Sequence, residues 1–286
     1  MHPGRAGLVA VLGLGACGIE PRPRPPALGC LDGGCVGGGG IGSPGGGGVV
    51  TPPRPMDAGV LPPPDASPMS AVSVSGDLRV AAQLPPTPIG SWLSPTPAMG
   101  WQVRSPDTTL DGTLTDATGR FELRDVPTRT TTGAGAVYLL EARSPRRDLN
   151  SLQLFRATDA TPSLYGISTE VLLAATAPSG VIPDDRRSQV VFFVVGGGAA
   201  PMPQAGVTVA LPGESVVTLY DDERGQLSMS LTGTGPQGVA VALNATPGAA
   251  GVVRMLTAVV SRGGRMNAVD VPLLPQTVTW VGVAAP

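Results

Sequence analysis

The chain has 286 residues, a formal net charge of −2, and 73 residues that are Gly or Pro (41 and 32). All 19 basic residues are Arg, none is Lys, and the only histidine is His2. Schiff-base, Ser–Lys and P-loop lysine chemistry are therefore excluded; should His2 be lost in maturation, so are His bases and His-ligated zinc. The net charge is too small to suggest electrostatic binding to nucleic acid or to anionic membranes, so no nucleic-acid partner is expected.

In chain order, the first feature is "LVAVLGLGACGIEPRPRPP", Leu8 to Pro26, which contains Gly13-x-Gly15-x-x-Gly18. A dinucleotide fold needs such a turn to open a helix. Here Pro21, Pro23, Pro25 and Pro26 follow, and each removes a backbone donor and biases its predecessor to extended geometry, so no βαβ unit can form. Met1–Arg5 instead reads as a short n-region with one positive charge. Ala6–Ala16 is an uncharged run of eleven residues, the length of a signal-peptide h-region and too short to span a bilayer. It ends in Leu14-Gly15-Ala16-Cys17, which resembles the bacterial lipobox: an aliphatic residue, two small residues, then cysteine. The resemblance implies a signal peptide over 1–16, cleavage before Cys17, a diacylglycerol on its thiol and acylation of its new amino group. Two or three acyl chains anchor stably where one does not, so the expected location is the bacterial cell envelope, with the membrane as a partner through the lipid. Gly18 in place of Asp after the cysteine points, by analogy with enteric bacteria, to the outer membrane.

Residues 17–70 read as a disordered tether. From Gly18 to Ser70, 26 of 53 residues are Gly or Pro, and coil scaling gives an end-to-end distance of roughly 40 Å. Within it, Cys30 and Cys35 in "GCLDGGC" would close a small disulfide loop in an oxidising compartment, with free thiols as the alternative. With nearby Asp32 they supply too few ligands for a metal.

Past Ser70 short β-type runs alternate with turn residues. "VSVSGDLRVAAQL" opens a first module over 71–160, and "LPPTPIGSWLSPTPAMG" is an irregular loop carrying Trp92. In "DGTLTDATGRFELRDVP" two strand-like segments flank Asp116-Ala117-Thr118-Gly119, where Asp can open a turn through its side chain and Gly can take positive φ. Alternation turns Phe121 and Leu123 inward, against Arg120, Glu122 and Arg124, and apolar Val126 is expected to join them. With "AVYLLEAR" behind it, this stretch resembles the carboxypeptidase regulatory-like, or transthyretin-like, β-sandwich family over roughly Val72 to Arg143. Residues 161–185 read as a linker, in which "STEVLLAATA" forms a short helix capped by Ser168 or Thr169. A second module occupies 186–286. Its "QVVFFVV" is apolar throughout and so predicts a central strand buried on both faces, and "AGVTVALPG" with "GPQGVAVALNATPG" again resembles the regulatory-like sandwich. The expected fold class is all-β: two Ig-like or transthyretin-like sandwiches in tandem after the tether.

Candidate chemistry is sparse. Tyr220-Asp221-Asp222-Glu223-Arg224-Gly225 reads as a solvated turn, because calcium would need about six oxygen ligands and the spacing is not that of an EF-hand. Asp184-Asp185-Arg186-Arg187 reads as a charged strand entrance, and Asn244-Ala245-Thr246 as a turn. Trp92 and Trp101 flank the Pro-rich loop and offer a ligand platform, with core packing as the alternative. No catalytic residue, metal site or cofactor is expected. The leading function is a membrane-anchored envelope lipoprotein with a structural or protein-binding role, its partner an unidentified envelope protein or glycan. A carbohydrate- or peptide-binding accessory module is the alternative, and a carboxylate hydrolase the third.

Overall fold

A computed structural model describes residues 70–85, 93–94, 96–109, 111–131, 135–146, 149–197 and 202–286. The expectations for 1–16 and for 17–70, with Leu14, Gly15, Ala16, Cys17, Cys30 and Cys35, lie outside the described residues, as does Trp92.

The alternating runs of the first segment become β1 (Ala71–Ala81), β2 (Gln102–Arg104), β3 (Thr113–Leu114), β4 (Arg120–Pro127), β5 (Arg129–Thr131), β6 (Gly135–Arg143), β7 (Asn150–Arg156) and β8 (Ser163–Ile167). Helix α1 (Thr169–Thr176) follows. Its cap is Ser168, whose Oγ accepts the Val171 N–H at 3.2 Å, and the chain leaves the helix region through Gly180 at φ 72°. The second segment forms β9 (Ser188–Val195), β10 (Thr208–Ala210), β11 (Val217–Asp221), β12 (Leu227–Ser228), β13 (Val239–Ala245), β14 (Arg254–Arg262), β15 (Arg265–Leu273) and β16 (Thr277–Ala284). The all-β class holds.

Ten strands make one long sheet, in the order β12-β11-β13-β9-β16-β7-β6-β2-β3, with β5 on β6. At its centre β16 pairs parallel with β9 on one side and with β7 on the other, while every pairing further out is antiparallel. Strand directions therefore read the same outward from β16 both ways, as about a two-fold axis along that strand. Such an axis exchanges the faces of a sheet, and the covering layers follow it. Leu140, Gln153, Trp280 and Val191 are aligned across four strands and share one face. On that face Leu140 packs with Leu78, Phe121 and Leu164 of the small sheet β4-β1-β8, and Val191 with Leu172 of α1. Val190, one residue earlier, faces the other way and packs with Val209, Val260 and Val271 of the small sheet β10-β14-β15. The two β-rich segments are thus fused through a shared sheet.

β9 is buried over all eight residues, as its unbroken apolar run requires. In β4, Phe121 and Val126 are buried and Leu123 partly so, against exposed Arg120, Glu122 and Arg124. Val126 keeps this face despite the odd spacing because the register against β1 shifts after Leu123, with Asp125 at φ 55°. The 161–185 segment differs from the linker expectation. It holds β8, paired parallel with β1, with Leu164 and Ile167 fully buried. Gly166 hides the strand pattern, yet it is there for close approach: a Cβ would lie 2.8 Å from the Trp101 ring.

Candidate functional site

Trp101 is 7% exposed, its indole lies in the core with Leu78, Phe121 and Tyr138, and its backbone N–H donates to Thr115 Oγ1 at 2.9 Å. It is a packing residue, which corrects the ligand-platform expectation for this position. Alternation could not separate the two roles, because the small residue that receives the ring, Gly166, is distant in sequence.

The turn at Asp116 is built as its residues predict. Asp116 Oδ1 accepts from Thr118 N, Thr118 Oγ1 and Arg120 N at 2.7, 2.7 and 2.9 Å, and Gly119 N–H closes onto Asp116 O at 3.0 Å. Those bonds, led by that from the Thr118 hydroxyl, hold the Asp116 carboxyl below its ordinary range. The turn does not join a hairpin, since β3 pairs with β2 and β4 with β1 in a different sheet. Gly119 sits at φ 82°, and an added Cβ would lie 2.8 Å from Leu78 O. Gly119→Ala is therefore expected to destabilise by about 2 kcal/mol, read as a lower denaturation midpoint.

The same device recurs at Asp222. Its Oδ1 accepts from Arg224 N and Gln226 N, both at 2.8 Å, and Gly225 N–H closes onto Asp222 O at 3.0 Å. The solvated-turn reading of this stretch covers Asp222 to Gly225 but not Asp221, whose side chain is fully buried. Its Oδ1 accepts from Gly235 N at 2.9 Å and Val239 N at 2.8 Å, and its Oδ2 from Gln237 N at 2.7 Å. Burial raises the Asp221 carboxyl above its ordinary value, opposed by the bonds from Gln237, Val239 and Gly235. The readable signal was the glycine-rich loop "TGTGPQG" (232–238), whose N–H groups need an acceptor that no strand supplies.

At the entrance to β9 the charged reading holds. Asp184 Oδ1 accepts Arg186 N at 2.9 Å and its carboxylate pairs with Arg187 at 3.7 Å. Asn244 is a bulge within β13 and not a turn, at φ 67°. Its Oδ1 accepts Asp184 N at 2.7 Å and its Nδ2 donates to Ile182 O at 3.2 Å.

A buried polar seam joins the segments. Trp280 Nε1 donates to Ser151 Oγ at 2.8 Å, Ser151 Oγ donates to Tyr165 O, and Tyr165 N–H donates to Gln153 Oε1 at 2.6 Å. These bonds tie β16 to β7 and β7 to β8. Burial pushes the Tyr165 hydroxyl up to about 12.

On the open side of β1 lies a polar groove of about 790 Å³, lined by Ser75, Asp77, Arg79, Ser94, Thr96 and Arg120 among others. Arg79 Nε donates to Asp77 Oδ2 at 2.5 Å, and Asp77 Oδ1 accepts from Ser163 Oγ at 2.8 Å. A smaller hollow of about 410 Å³ between α1 and Ala82–Leu84 presents one charged group, Glu170. Among the described residues no three His, Cys, Asp or Glu side chains converge to hold a metal, and no helix is long and apolar enough to cross a membrane.

No family model matches the chain, and no curated protein matches it. Among solved structures it is similar to the shaft pilin SpaA from Lactobacillus rhamnosus GG. The likeness covers 75% of this chain and 98% of that one, at 13% identity and a TM-score of 0.22. The all-β architecture rests on the hydrogen-bonded sheets themselves.

Proposed function

We propose that this chain is an envelope lipoprotein that displays a fused β-unit on a tether, in a structural or protein-binding role. The observation that carries the reading is the N-terminal run, in which an n-region and an eleven-residue uncharged stretch ending in Leu14-Gly15-Ala16 lead to Cys17 without interruption. Lipidated Cys17 is the anchor, on the outer membrane by the Gly18 analogy. The Gly- and Pro-rich residues behind it hold the β-unit at a distance and raise its effective concentration near a partner in the same layer.

The fused architecture supports such a role. Tandem domains on a linker move relative to one another by default, whereas here β16 bonds along both its edges, to β7 and to β9. A body of this kind presents its loops in a constant relation. Cys17→Ser is expected to abolish acyl labelling of the chain and to move it from the membrane to the soluble fraction on cell fractionation. A variant that stays with the membrane would falsify the anchor.

A further inference from the structure

We propose that the polar groove over β1 is a binding site for an acidic saccharide, with sugar hydroxyls along its Ser and Thr wall and a carboxylate on Arg120 and Arg79. This goes beyond the display reading and does not depend on the lipid.

The groove's volume of about 790 Å³ lies within the range usual for small-molecule sites, about 300–1,000 Å³. Among the described residues its wall carries no aromatic side chain: Ser75, Ser94, Thr96, Thr118 and Thr161 line it together with the charged residues, and Leu78, Leu93 and Pro97 are the larger apolar members. Hydroxyls both donate and accept, as sugar hydroxyls do. Its three charged groups, Asp77, Arg79 and Arg120, leave one net positive charge. Asp77 is already committed, to Arg79 on one oxygen and to Ser163 on the other. That contact holds Arg79 through Nε, and among the described residues Arg79 makes no further ion pair and Arg120 makes none. Register places Arg120 directly across from Asp77, two residues from Arg79, so both guanidiniums stand on one face of the small sheet. Guanidinium groups with free donors bind carboxylates in a two-point geometry.

An extended peptide fits less well. β1 is the middle strand of β4-β1-β8, bonded on both edges, so the groove floor offers no open backbone to a further strand. A small free anion would occupy only a corner of the volume.

The test is calorimetric titration of the purified full-length chain with tetragalacturonate, maltotetraose and tetraglutamate. Tetragalacturonate is expected to bind, more weakly as salt is added, and maltotetraose to bind at least about tenfold more weakly. Arg120→Gln should weaken tetragalacturonate by about tenfold. Its melting temperature should be that of the parent, because the Arg120 backbone bonds to Asp116 remain. The proposal is overturned by any of three results: no heat from tetragalacturonate at millimolar concentration, equal binding by folded Arg120→Gln, or tetraglutamate binding as tightly as the sugar acid.

Discussion

Trp280→Ala is expected to lower the stability of the β-unit by about 3–5 kcal/mol, the range for removing a buried aromatic side chain, out of a total that for ordinary domains is about 5–15 kcal/mol. The indole is 4% exposed and stacks on Phe193 with ring centres 5.7 Å apart and planes 4° apart. It also tilts against Tyr165 at 6.0 Å and donates to Ser151. The substitution therefore leaves a cavity in the strand that both segments share, and frees a hydroxyl and two rings that had packed on it. Trp280→Phe keeps most of the packing and loses the hydrogen bond, so about 1–2 kcal/mol is expected there. The measurement is urea denaturation followed by far-UV circular dichroism. Because β16 bonds to both β7 and β9, the two segments should melt in one transition at a lower midpoint. An unchanged midpoint, or two separated transitions, would contradict the role assigned to this strand.

Asp221→Ala is the second substitution with a large expected effect, about 3 kcal/mol, because it strips three N–H groups of the Gly235–Val239 loop of their acceptor inside the protein. Asp221→Asn should cost less, about 1–2 kcal/mol. Its remaining oxygen can still accept from Gly235 and Val239, while its amide nitrogen must face the Gln237 N–H. The two proteins should also differ in pH dependence. The folded-state value of Asp221 is raised above 3.8, first by burial. The unfolded chain releases this proton at lower pH than the folded one, so the native state binds more protons in the window that starts near 3.8 and ends at the raised folded value. Stability then falls as pH rises through that window. Below it both states are protonated and the contribution is constant. Parent minus Asp221→Asn, measured by denaturation across acidic pH, should decline with rising pH; a flat difference would show that the hydrogen bonds balance burial, and a rising one that they outweigh it.

Those two residues mark the limit of what was legible in the chain. Strands, turns and the helix cap rest on local rules: period-two alternation in "RFELRDV", the Asp and Gly of the 116–119 turn, and Ser168 before an apolar run. The uninterrupted "QVVFFVV" likewise announced a strand covered on both faces. The groove was not legible, because it forms only when Arg79 of β1 and Arg120 of β4 come onto one face through pairing between distant segments. Nor was the fate of Trp101, whose partner Gly166 lies in the 161–185 stretch expected to be a linker. Asp221 read as one more acidic turn residue, since its neighbour Asp222 carries the turn signal and its own partners lie 14 to 18 residues on.

The sequence by itself determined the all-β class, the central strand and the turn chemistry, since each depends on residues within a few positions of one another. Only the tertiary structure decided that the two β-rich segments share a sheet. That outcome rests on β16, whose Thr277 aligns with Asn150 on one side and Ser188 on the other. Parallel partners so far apart in the chain leave no local pattern; they are selected by which faces can be covered together, and that is settled only when the layers pack.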